Sequence, residues 1–189
     1  MQHIPVVLIL LILWVHAVAS QSSQLKWEEL DQGEVIVEEV ETASGIPGVR
    51  ATFLVKASRE DIWTTLLDYN NFPNLFEGID RMQVLEEDQH GARIEFWVDA
   101  VLTDLHYILY RNYVEPGYRL TWRRVSGDLK QIQGSWDILD TDNAERKILV
   151  YESYVDIGFS IVTWIIRQGA KDRAEKMGHR LRDWLERDQ

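Results

Sequence analysis

The sequence predicts an α+β fold, a curved antiparallel β-sheet wrapped around a long C-terminal α-helix, with short helices after the second strand. Three observations carry that expectation. Between residues 80 and 157 apolar side chains recur with a period of two, interrupted only by short turn-rich stretches. From about residue 161 to 186 the period becomes three to four, with Val162, Ile166, Ala170, Ala174, Met177 and Leu181 on one stripe. Ahead of both lie two alternating segments and one short helical stripe.

The elements follow in order. "GEVIVEEVE" (33–41) and "VRATFLVKA" (49–57) alternate as strands, separated by the turn residues of "ASGIPG". Ser58 with Glu60 and Asp61 is the signature of a capped helix start, and Ile62, Trp63, Leu66, Leu67 and Tyr69 form its apolar stripe. Pro73 is expected to break that helix. Six strands then run through "DRMQVLEED", "ARIEFWVDAVL", "DLHYILYRNYV", "YRLTWRRV", "LKQIQGSWDIL" and "RKILVYESYVDI", joined by turns such as "QHG" and "EPG". The last helix would be roughly 40 Å long, enough to cross a sheet.

The amino terminus is a different kind of sequence. "IPVVLILLILWV" (4–15) carries no charge, and "AVA" (17–19) precedes Ser20, the pattern of a signal peptide cut at Ala19–Ser20. No Lys or Arg precedes the apolar run, so a retained N-terminal anchor is the rival reading. The expected organisation is a leader over 1–19, a linker over 20–32 and one ligand-binding domain over 33–189. That domain would be secreted or periplasmic, or held at the membrane if the leader stays.

Composition excludes several function classes. The 189-residue chain has a formal net charge of −11, which repels phosphate backbones and argues against a nucleic-acid partner. There are no cysteines, so disulfides, thiolate nucleophiles and cysteine metal sites are excluded. No HExxH, Walker loop, GxSxG or dinucleotide fingerprint occurs, and no cofactor or metal site is expected. Proton-transfer groups are sparse. His106 could face the interior beside Asp104 or Tyr110, and Tyr110 with Glu152 is a second candidate pair. For each, a surface strand position is the plainer reading.

The aromatic residues say more. In "QIQGSWDIL" Ile132, Gly134, Trp136 and Ile138 share one face, which turns Trp136 inward and leaves an empty place at Gly134. Ile94, Phe96 and Val98 share a face, as do Leu120 and Trp122, whereas the strand carrying Tyr107, Tyr110 and Tyr113 has aromatics on both. Phe72, Leu75 and Phe76, around the helix break, fit either ordinary core or the rim of a pocket, with Trp164 on the long helix as an opposite rim.

Residues 57–87, the G-D-x-x-x-x-x-G-x-W spacing from Gly127 to Trp136, and the long last helix resemble the polyketide cyclase/dehydrase and coenzyme Q-binding branch of the START-like superfamily. The resemblance implies a helix-grip (START/Bet v 1-like) fold with a hydrophobic cavity between sheet and helix, used by members for lipids, quinones, sterols or polyketides. On that basis the expected function is binding of a hydrophobic small molecule or lipid without transforming it. The ligand-binding candidates are Phe72, Phe76, Phe96, Val98, His106, Tyr110, Trp122, Gly134, Trp136, Tyr154 and Trp164, with Arg111, His106 or Tyr110 orienting a head group. A cyclase or dehydratase-type enzyme is the alternative. A module making transient membrane contact through Trp164 and the basic helix is the third.

Overall fold

The computed structural model describes residues 26–100, 103–158 and 163–187, without the side chains of residues 100, 103 and 163–167. The leader expected over 1–19 lies outside the described residues. Residues 26–31, which the sequence reading placed in a linker, form a helix, α1, and its Leu30 is buried.

Eight strands follow: β1 (Ile36–Glu41), β2 (Pro47–Lys56), β3 (Ile79–Asp88), β4 (Gly91–Ala100), β5 (Thr103–Glu115), β6 (Arg119–Gly127), β7 (Gln131–Asp140) and β8 (Arg146–Asp156). They make one antiparallel sheet in the order β1-β2-β8-β7-β6-β5-β4-β3. From β3 to β8 each strand pairs with the next in sequence, as short turns dictate. The exception is the β2–β8 seam, which pairs Lys56 with Arg146 and Gly48 with Tyr154, far apart in the chain.

Between β2 and β3 lie α2 (Arg59–Leu67), a 3₁₀ turn (Tyr69–Asn71) and α3 (Phe72–Leu75). Ser58 caps α2, its hydroxyl accepting from the Asp61 amide at 3.1 Å. The chain leaves α2 at Asp68, ahead of Pro73, because Asp68 takes a non-helical conformation with ψ 79°. Pro73 instead sits in the first turn of α3, where a missing amide hydrogen costs nothing.

α4 (Thr163–Leu185) closes the fold, and its main sheet contacts are with β1 and β2. Ala174, Met177 and Leu181 are buried there. Gly178 sets the approach: a Cβ at that position would lie 2.8 Å from Val35 Cγ1 and 3.3 Å from the Phe53 ring. Arg182 locks the same corner, donating to the carbonyls of Leu54 (2.9 Å), Glu34 (3.3 Å) and Gly33. The architecture is the expected helix-grip fold, and the core lies between the concave sheet face, the short helices and α4.

Candidate functional site

Opposed residues of an antiparallel pair share a face, so the register sorts every strand side chain. Starting from Phe53, which packs against α4, the concave set runs through Leu149, Tyr151, Trp136, Leu120 and Trp122. It continues from Trp122 to Arg111, and from Ala92, Ile94, Phe96 and Val98 to Arg111, Leu109, Tyr107 and Leu105. Phe96, Val98, Trp122 and Trp136 therefore face inward as the alternation required, and Phe96, Trp122 and Trp136 are buried.

Three expected ligand contacts point the other way. His106 opposes Trp97 on the convex face, stacks on it with ring centroids 5.0 Å apart, and meets Glu95 Oε1 at 2.7 Å. Its side chain is 45% exposed. Tyr110, four residues further along β5, is also convex, beneath the Arg123 guanidinium at 5.6 Å. Tyr154 is convex too, and donates to Glu152 Oε2 at 2.7 Å. Pleating is the reason: each neighbours a residue that the core holds inward, Tyr107, Arg111 and Val155 respectively. Tyr110 on β5 and Glu152 on β8 are separated by two strands and make no pair.

Gly134 does not face open space. A Cβ there would strike the indole of Trp122, 2.6 Å from its Cε2, so the gap serves protein packing. Phe72 and Leu75 are buried rather than at a rim, while Phe76 is partly buried and packs on Phe72 with centroids 4.6 Å apart. Trp164 falls in the first turn of α4, and its side chain lies outside the described residues.

The residue that organises the interior is Arg111, 3% exposed. Its Nη1 donates to the Leu66 carbonyl at 3.0 Å, and its guanidinium lies 5.2 Å from the Tyr69 ring and 5.0 Å from the Phe72 ring. Among the described residues no carboxylate ion-pairs with it directly. Burial pulls its pKa below the ordinary arginine value, and the neighbouring hydroxyls of Tyr69 and Tyr113 oppose that pull. Tyr69 and Tyr113 hydroxyls meet at 2.7 Å, and Tyr113 donates to Glu87 Oε1 at 3.0 Å.

Elsewhere on the concave face stand Tyr107, stacked on Phe96 at 5.5 Å, and Tyr151, against Trp136 at 4.9 Å. Loss of water pushes both phenols above the usual tyrosine value. Yet both side chains keep accessible surface. Both lie on the concave face of the sheet. A cavity of about 160 Å³ lies near the end of α4, lined by Leu30, Gly33, Leu54, Arg146, Arg182 and Glu186. Among the described residues no group of His, Asp and Glu is arranged to hold a metal, and no helix is long and apolar enough to cross a membrane.

Comparison with known proteins gives the arrangement a context. A family model described as polyketide cyclase / dehydrase and lipid transport matches residues 55–182. No curated protein sequence matches the chain. Among solved structures, a STAR-related lipid transfer protein from Xanthomonas axonopodis is similar at TM-score 0.66 and 16% identity, over 80% of this chain and 93% of that one. A START superfamily protein from Mycobacterium smegmatis aligns at TM-score 0.64 and 16% identity, over 74% and 97%. The Zhui aromatase/cyclase from Streptomyces sp. R1128 aligns at TM-score 0.57 and 17% identity, over 81% and 99%.

Proposed function

The chain belongs to the polyketide cyclase / dehydrase and lipid transport family, and from that premise we propose that it is a carrier that holds a hydrophobic small molecule or lipid between its sheet and C-terminal helix, without transforming it. The observation that carries this reading is the run of large side chains on the concave face, Phe96, Tyr107, Trp122, Trp136 and Tyr151, of which Tyr107 and Tyr151 are only partly buried. Apolar burial would drive binding at roughly 25 cal/mol per Å². Arg111, 3% exposed on the concave face, would orient the head group.

The non-catalytic part of the reading rests on placement. Of the candidate proton-transfer groups, His106, Tyr110 and Glu152 lie on the convex face, away from the interior. The uncharged run at 4–15 supports export, to the periplasm or beyond. Native mass spectrometry and solvent extraction of the purified protein should find an apolar molecule bound in stoichiometric amount. A protein that stays empty against a panel of lipids and quinones refutes the carrier.

A further inference from the structure

The two edges of the sheet are covered differently. β1 runs along α4, where Lys171 Nζ lies 3.7 Å from Glu39 Oε1, and Lys26 of α1 meets Glu38 Oε1 at 2.7 Å. β3 pairs with β4 on one side and ends the sheet on the other. Its residues 83–88 are all exposed, the apolar Val84 and Leu85 among them. Its sequence, "IDRMQVLEED", holds neither the Lys nor the Pro that commonly blunts an open edge.

Register shifts between Ile79 and Arg81 and between Val84 and Glu86 bound a regular stretch, residues 81–84. Pairing with β4 sorts its side chains. Arg81 opposes Trp97 and Glu86 opposes Arg93, which puts both charges on the convex face. Met82 and Val84 oppose Phe96 and Ile94 on the concave face.

Turned back on itself about Gln83, this segment is self-complementary. Met82 of one copy falls opposite Val84 of the other, apolar against apolar on the same face. Arg81 falls opposite Leu85 and Glu86 together, because a bulge sets two residues against one. Of those two, Glu86 shares the face of Arg81. Neither charge is firmly held within one chain. Arg81 lies 3.6 Å from the Trp97 ring, without an ion pair among the described residues. Glu86 is 71% exposed, with Arg93 Nε 3.7 Å away.

We infer that β3 pairs antiparallel with β3 of a second copy of this chain, about a two-fold axis at Gln83, so that the sheet continues from one copy into the other. The contact forms two Arg81–Glu86 pairs and covers both Val84 side chains. It uses the same edge of each copy, so it closes at two. The regular stretch is short, which makes the dimer weak and concentration-dependent rather than obligate.

Sedimentation of the purified protein should show a monomer–dimer equilibrium with a Kd below about 500 µM. Arg81→Glu sets carboxylate against carboxylate, and Glu86→Arg sets guanidinium against guanidinium. Each should weaken self-association by about tenfold or more. Mixed one to one, these two variants should form a heterodimer within about threefold of the wild-type affinity, since every charge then meets its opposite. Val84→Lys, which puts an ammonium opposite Met82, should abolish the dimer independently and decides the matter if a charge variant fails to fold. Wild-type protein with a Kd above that bound overturns the inference. So does a dimer that the substitutions leave unchanged, which would place the contact elsewhere, and so does a mixture of the two folded charge variants that stays monomeric.

Discussion

Trp122 and Tyr151 stack with ring centroids 5.5 Å apart, although β6 and β8 are not neighbours. They meet over Gly134 of the intervening β7, whose missing side chain leaves the room that the indole occupies. Gly134→Ala should therefore cost about 1–3 kcal/mol, because the added Cβ would strike the Glu152 backbone carbonyl as well as the Trp122 ring. A urea unfolding curve would measure it. A loss below about 0.5 kcal/mol would mean that the Trp122 ring yields easily.

Arg111 predicts a trade between stability and binding. Arg111→Met removes a buried cation that lacks a direct ion pair and fills the same apolar space. The variant should melt no lower than wild type, while affinity for a polar-headed apolar ligand falls at least about tenfold. Differential scanning calorimetry alongside ligand titration reads both numbers.

The convex face supplies a pH dependence. Burial would raise the Glu152 pKa, but hydrogen bonds from Tyr154 and Arg50 outweigh it and hold the carboxyl below its ordinary value. A depressed folded value means the contribution is fully present above the unfolded carboxylate range, and is lost as pH falls through the folded value. With Arg50 Nε 2.6 Å from Glu152 Oε1 on a partly solvated surface, the effect is about 0.5–1 kcal/mol. Glu152→Gln should flatten the stability-against-pH curve by that amount in the acid range and leave ligand binding untouched.

Arg182 ties α1's exit and β2 to α4 through three backbone carbonyls. Arg182→Met should leave those acceptors short of a donor and cost about 1–3 kcal/mol. Hydrogen exchange would find the loss concentrated in residues 26–36 and the end of α4, with β4–β7 amides as protected as in wild type.

Much of this fold was legible because a strand period of two and a helix period of 3.6 are hard to confuse over long runs. The inward turn of Trp136 and Phe96 followed directly from alternation. The direction of β5 did not, since Tyr107, Tyr110 and Tyr113 put rings on both faces, and only the pairing with Ile94 and Trp122 decides it. His106 misled for the same reason, as its neighbour Tyr107 has the stronger claim on the interior. Helix α1 escaped notice because its residues are polar and acidic, with Leu30 alone buried among those described. The link from Glu87 through Tyr113 to Tyr69 spans β3, β5 and the 3₁₀ turn, so no local pattern could carry it.

The β2–β8 seam has a consequence for synthesis. The first two strands, paired with each other, can join the rest of the sheet only through β8, so a nascent chain cannot attach that pair until translation passes residue 156. Such late, non-local closure is slow. It leaves an interval in which the β1–β2 pair stands apart from the other strands, with one long edge still open.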